Sequence, residues 1–204
     1  MKFTSTKPIV LASSSPRRKE LLELAGLDFT VKPSYVDEDL PYTPKEPQLY
    51  AVRLSEMKAE AVYANSAGSI VIAADTIVVR NGNVYPKPKN DAQAVEFLME
   101  LSGQVHEVIT GVTVLSKGKK IQLSSSSQVK FRTLDLALVE EYVRSGDAAD
   151  KAGAYGIQTE GMLFVESIVG EYQNIVGLPI AQLIERLREE DVIVLEAGAA
   201  KHAT

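Results

Sequence analysis

The chain has 204 residues, 45% hydrophobic and 24% charged, a make-up that supports a sizeable core in a soluble globular protein. Its 22 Lys and Arg against 27 Asp and Glu leave a net charge of -5, which repels a polyanion and argues against extended DNA or RNA binding. With no cysteine, and with His106 and His202 alone, disulfides, thiolate catalysis, Cys-based zinc and a His-rich metal site are excluded, so any metal is a hard cation on oxygen ligands.

Ile9 to Ala12 is an apolar run too short for a signal peptide, and no window approaches the ~18 apolar residues of a membrane span. The expected location is the cytoplasm. The same run reads as a strand, followed by Ser13-Ser14-Ser15-Pro16 as cap and first helical position, a helix from Arg17 to Ala25, and a terminating Gly26. Phe29 to Val31 reads as a second strand and the acidic, Pro-rich stretch Tyr35 to Pro47 as loop. Tyr50, Leu54, Met57 and Ala61 keep helical spacing. Ser69 to Val79 is a β-branched run broken by Asp75 and Thr76, and Asn81-Gly82 predicts a two-residue hairpin into Val84 and Tyr85. A capped helix is expected over Asp91 to Leu101, two long strands over Val105 to Leu115 and Ile121 to Phe131, and a helix over Leu136 to Val143. Met162 to Val169 reads as a strand and Ile180 to Leu187 as the last helix. Residues 1–190 are expected to form one α/β domain on a mixed sheet, and 191–204 a loosely held tail.

Arg17, Arg18 and Lys19 in a first helical turn oppose the helix dipole, and with three serine hydroxyls and free backbone N–H groups they describe an anion site that suits phosphate. A solvated basic turn with a simple serine cap accounts for the same residues. Asp75 is sharper: a carboxylate in a strand that otherwise reads as fully buried requires a partner, a metal or a solvent-facing cleft, and the apolar Ile77 to Val79 that follow weaken the reading that it merely ends the strand. Counting back through the hairpin sets Lys87 opposite Thr76, beside Asp75, although strict alternation places Asp75 and Lys87 on opposite faces unless a bulge intervenes. Asp37, Glu38 and Asp39 offer oxygen ligands to Mg2+ or a solvated run. Lys58 reads as a snorkelling lysine. In Lys151 to Gln158, Tyr155 offers a stacking face and Gln158 an amide to a base, while a tight structural turn explains the same residues.

Together the segments LASSSPRRKELLELAG, AADT, KPK, LSGQVHEVITGV, KAGAYGIQ and NIVGLP, in that order between about Ile9 and Leu187, resemble the Maf family of nucleoside triphosphate pyrophosphatases, the septum-formation-inhibitor-like proteins. KAGAYGIQ is similar to the subgroup acting on dTTP and UTP. The resemblance implies an elongated mixed sheet flanked by helices, two lobes around a central cleft, and often a homodimer. It implies that Asp75 is the proton acceptor and metal neighbour, and that Glu38 binds a divalent cation, Mg2+ or Mn2+. Ser13, Ser15, Arg17, Lys58 and Lys87 would hold the triphosphate of a pyrimidine nucleotide, with Arg17, Thr76 and Gln158 influencing base choice. Ala73 stands where a Gly is usual, and Pro86 precedes Lys87 where a less rigid residue is common. The resemblance also admits a regulator of cell division that senses a nucleotide without cleaving it; a small RNA-binding domain is disfavoured by the net charge.

Overall fold

The computed structural model describes residues 1–38 and 40–196. A seven-stranded mixed sheet forms the centre. Strands β2 (Ile9–Leu11) and β3 (Phe29–Val31) run parallel at one side, and β2 is also parallel to the long β4 (Ile70–Arg80). Beyond β4 every pairing is antiparallel: β5 (Asn83–Tyr85) on the hairpin, then β6 (Val105–Ser116), β7 (Lys119–Phe131) and β8 (Val165–Val169). The remaining strands, β1 (Phe3–Ser5) and β9 (Ile193–Leu195), make a small antiparallel sheet of their own.

Helix α1 (Pro16–Leu24) starts as its sequence dictates, with Pro16 in the first turn and the Ser15 hydroxyl accepting from the Arg18 N–H. The same logic sets α3 (Asp91–Leu101), capped by Asn90, and α4 (Leu136–Arg144), capped by Asp135. Between α1 and α3 in chain order lies α2 (Pro47–Tyr63), and α5 (Tyr172–Val176) and α6 (Ile180–Glu189) are the last helices among the described residues. The buried face of α2 is Ala51, Leu54, Ser55, Lys58, Ala59 and Val62; of the apolar spacing Tyr50, Leu54, Met57 and Ala61, Leu54 is buried there, Tyr50 and Met57 are half-buried and Ala61 is exposed. The cause is Gly111 on β6: a Cβ there would lie 2.3 Å from the Ala51 carbonyl carbon, so α2 rests on the sheet backbone to backbone. At that distance the small and polar face of the helix goes inward, and the Ser55 hydroxyl meets that of Thr113 at 2.8 Å.

Two further differences from the sequence pattern have local reasons. Met162 to Phe164, expected as strand, wind into a 3-10 turn over Glu160–Phe164, because Gly161 packs on the Gly156 backbone and Phe164 turns into the core. The stretch expected as a tail from residue 191 begins with Val192 and Ile193 buried and with β9 bonded to β1; residues 197–204 lie outside the described residues.

Alternation along β4 sorts its side chains. Val71, Ala73, Ile77 and Val79 pack toward α2, while Ile70, Ile72, Ala74 and Val78 join the main core on the other face. One edge of β4 is shared by two short strands: β2 pairs with Ile70–Ile72 and β5 with Val78–Arg80. The segment between them, residues 73–77, is laddered only to β6. The sheet therefore has a gap on this edge, beside the C-terminal end of β2 and the start of α1, a position where ligands commonly bind in α/β sheets.

Candidate active site

A cleft of about 780 Å3 occupies that gap. Its walls include Ser13, Ser15, Arg17 and Arg18 from the β2–α1 turn, Lys58 from α2, Asp75 and Thr76 from β4, Lys87, and Gln158. Asp75 and Thr76 point to opposite faces of the sheet, yet both line the cleft because the cleft wraps the open edge of β4. The same geometry answers the alternation problem for Lys87. Register runs as the hairpin predicts, Arg80 with Asn83 and Val79 with Val84, but pairing ends at Tyr85 before Pro86, so the exposed Lys87 reaches the cleft without a bulge.

Asp75 is 7% exposed and sits against Lys58, whose Nζ lies 2.5 Å from Asp75 Oδ1 and 2.9 Å from Glu38 Oε1. Lys58 is thus a buried ion-pair partner and not a snorkelling lysine. Burial pushes the Asp75 carboxyl above the usual carboxylate range, opposed by the positive charges of Lys58 and Arg18. Of the acidic trio, Glu38 lines the cleft, Asp37 is exposed, and Asp39 lies outside the described residues. Among the described residues no group of three acidic or His side chains stands ready for a metal. The two carboxylates sharing one ammonium are nevertheless a hard, oxygen-only donor pair arranged about a single positive charge. That suits Mg2+ or Mn2+, which bind through one or two carboxylates and take their other oxygens from phosphate and water.

Arg18 belongs to the site and was not singled out from its neighbours by sequence reasoning. Its Nε donates to the Gly177 carbonyl at 2.8 Å, Nη1 to Ser13 Oγ at 3.3 Å and Nη2 to Thr76 Oγ1 at 3.0 Å. Burial lowers its guanidinium from the ordinary value, and Asp75 acts in the opposite sense. Arg17 points elsewhere, with Nη1 4.0 Å from Asp150 Oδ2. The available signal is helical: at about 100° per residue, adjacent arginines in one turn cannot face the same way. Ser13 is buried and accepts from the Ser15 N–H at 3.1 Å, while Ser15 spends its hydroxyl on the helix cap.

The 151–159 segment is pinned from below. Lys151 donates to Asp147 and Asp150, Asp147 also accepts from Tyr142 and Thr159, and the Tyr142 hydroxyl accepts from the Gly156 N–H at 3.0 Å. Gln158 is exposed at the cleft. Tyr155 does not present an open stacking face: it is 6% exposed, packed edge-on against Phe131, with its hydroxyl 2.8 Å from His106 Nε2.

The family model described as Maf-like protein matches residues 8–190. This chain belongs to that family. Among its Maf relatives, the dTTP/UTP pyrophosphatase of Bacillus cereus (strain G9842) is 44% identical over 192 residues, covering 94% of this chain and 100% of the relative. The dTTP/UTP pyrophosphatase of Thermococcus gammatolerans is 47% identical over 181 residues, covering 89% and 95%. The Ham1 protein of Staphylococcus aureus superposes with a TM-score of 0.50 at 15% identity, over 90% of this chain and 100% of that one, a likeness of fold.

Proposed function

We propose that this chain hydrolyses dTTP and UTP, releasing pyrophosphate and leaving the nucleoside monophosphate. The observation that carries the reading is the buried Asp75 held by Lys58 beside Glu38, on a cleft whose other walls supply cations and serine hydroxyls. The names of Maf relatives more than 40% identical over nearly the whole chain support the reaction and the base. In this reading Asp75 takes the proton of the water that attacks the α-phosphorus in line. Burial raises the Asp75 carboxyl and the Lys58 charge opposes that rise. Ser13, Ser15, Arg17 and Lys87, with the first turn of α1, bind the triphosphate. Arg18 sets a fixed positive charge behind them. Glu38 and Asp75 would hold a divalent cation, Mg2+ or Mn2+, that neutralises triphosphate charge and makes the attacking water more acidic.

Arg17, Thr76 and Gln158, which all line the cleft, influence base choice in this reading. We also propose that modified pyrimidine nucleotides are turned over, that the activity is cytoplasmic and limits non-standard nucleotides, that the chain forms a homodimer, and that it is linked to inhibition of septum formation. No described helix is long and apolar enough to cross a membrane.

The test is Asp75→Asn, with wild type, assayed for pyrophosphate release from dTTP and UTP with Mg2+ and with Mn2+. The expected loss is about 10³-fold with unfolding still cooperative. Near-normal turnover in the variant overturns the assignment, and wild type that binds both nucleotides without cleaving them supports the sensing regulator instead.

A further inference from the structure

Gln158 stands exposed at the cleft between Gly156 and Thr159, and the hydrogen bonds of those two neighbours lead to the same place. The Gly156 N–H donates to the Tyr142 hydroxyl at 3.0 Å, and that hydroxyl donates in turn to Asp147 Oδ2 at 2.7 Å. On the far side of Gln158, the Thr159 hydroxyl lies 2.5 Å from the same Asp147 oxygen and 3.1 Å from the Gly156 carbonyl. It has one proton to give, and the nearer, charged acceptor takes it. Both anchors that bracket Gln158 therefore end on one carboxylate.

That carboxylate is itself held. The Lys151 Nζ lies 3.0 Å from Asp147 Oδ1, 2.6 Å from the Asp147 carbonyl and 2.7 Å from Asp150 Oδ1. An ammonium has three protons, so Lys151, although it lines the cleft, has none left for a phosphate. Its stem runs beneath the wall, where a Cβ on Gly156 would lie 2.7 Å from Lys151 Cε. The segment as a whole leans on the face of β4 away from Asp75: a Cβ on Gly153 would lie 2.9 Å from Val78 Cγ2, and Val78 belongs to the main core. Asp75, Lys58 and Glu38 are joined to one another on the other face.

We propose that Asp147 is a positioning residue for nucleotide binding, which fixes Gln158 against the bound nucleotide by holding Gly156 and Thr159 and takes no part in bond cleavage. A contact made equally in the substrate complex and the transition state lowers KM and leaves kcat alone, so its loss shows in KM. The proposal rests on the nucleoside triphosphate reading above and adds to it a residue outside the reacting groups.

The experiment measures kcat and KM for UTP in wild type, Asp147→Asn, Thr159→Val, Gln158→Ala and the Asp147→Asn/Gln158→Ala double variant. Asp147→Asn keeps the side-chain size but loses the charge and one acceptor oxygen, so it cannot serve Tyr142, Thr159 and Lys151 together. The expected result is a KM raised about tenfold with kcat within about twofold of wild type, and a rise of about threefold in KM for Thr159→Val. In the Gln158→Ala background Asp147→Asn should add less than about twofold, because the group it positions is gone. A merely structural Asp147 would lower kcat along with kcat/KM, or raise KM undiminished in the Gln158→Ala background, and either outcome overturns the proposal. If Asp147→Asn fails to fold, Thr159→Val decides, since it removes one anchor and leaves the Asp147–Lys151 pair in place; an unchanged KM refutes the positioning role. If wild type releases no pyrophosphate from UTP, the reaction reading falls separately. The same variants are then compared by calorimetric binding of UTP, where equal affinity in wild type and Thr159→Val overturns the role of Asp147, and no binding by wild type overturns both.

Discussion

Replacing Lys58 by Met keeps the side-chain volume on α2 and removes the ammonium that joins Asp75 to Glu38. The Lys58 and Asp75 side chains are 11% and 10% exposed at a separation of 2.5 Å, which places them among buried pairs where loss of one partner costs about 3–5 kcal/mol. Glu38 is 51% exposed on its side chain, so its share stays under about 1 kcal/mol. Arg18 remains as a second positive charge acting on Asp75, and the stranded carboxyl can take up a proton; both reduce the cost. A loss of about 2–3 kcal/mol is therefore expected, or a fall of about 5–10 °C in Tm for a domain of this size. Asp75→Asn leaves Lys58 paired with Glu38 and costs less. The double variant should then be more stable than the sum of the single losses predicts, by about 1–2 kcal/mol. Urea unfolding of the four proteins measures this coupling. Additivity within about 0.5 kcal/mol refutes the reasoning, because it would mean that Lys58 and Asp75 stabilise the fold independently.

Gly111→Ala places a Cβ against the Ala51 backbone, so α2 must lift and carry Lys58 from Asp75; stability should fall by about 2 kcal/mol or more and pyrophosphate release at least about tenfold, read by thermal unfolding and turnover. Arg18→Lys keeps the charge but cannot reproduce bonds to Gly177, Ser13 and Thr76 together, so kcat/KM should drop by about 10²-fold with the fold retained; unchanged kinetics would remove Arg18 from the site. His106 is 1% exposed and burial drives its imidazole from 6.5 to about 4. The unfolded chain binds the extra proton between those values, so the His106 contribution is complete above about pH 6.5 and is lost as pH falls to about 4, amounting to about 3 kcal/mol. His106→Gln should flatten the stability profile across that window, and an unchanged slope in urea titrations at pH 4.5 and 7 would contradict it.

The parts of the fold legible in the sequence are those that local chemistry decides. Ser15-Pro16 and Asn81-Gly82 fix a helix start and a hairpin register through bonds spanning a few residues, and each stands where the pattern sets it. The inward face of α2 was not legible, because it depends on Gly111, sixty residues away along the chain, permitting an approach that apolar periodicity cannot register. For the site, Asp75 announced itself as a charge in an apolar strand, but its partner did not. Lys58 looks like any helical lysine until α2 is laid on β4. Tyr155 failed in the opposite direction: an aromatic between glycines suggests a ligand face, yet His106 and Phe131 claim it for the core.

The gap on β4 is what turns these residues into one site. Neighbours on a strand ordinarily serve opposite faces of a sheet and cannot meet the same ligand. Here β2 ends at Leu11 and β5 begins its pairing at Val78, so residues 73–77 have an open edge around which both faces are reached. Asp75 can then work with Lys58 and Glu38 on the α2 side while Thr76, the next residue, is wired to Arg18, Thr110 and Asn174 on the other. Two environments follow from one dipeptide. On one side a buried carboxylate is balanced by an ammonium, which suits proton transfer and charge. On the other a hydroxyl is held between an arginine and a second threonine. Filling the gap by extending β5 toward β2 would preserve every pairing of the sheet and separate the two environments, since the open edge is the path by which one ligand can touch both.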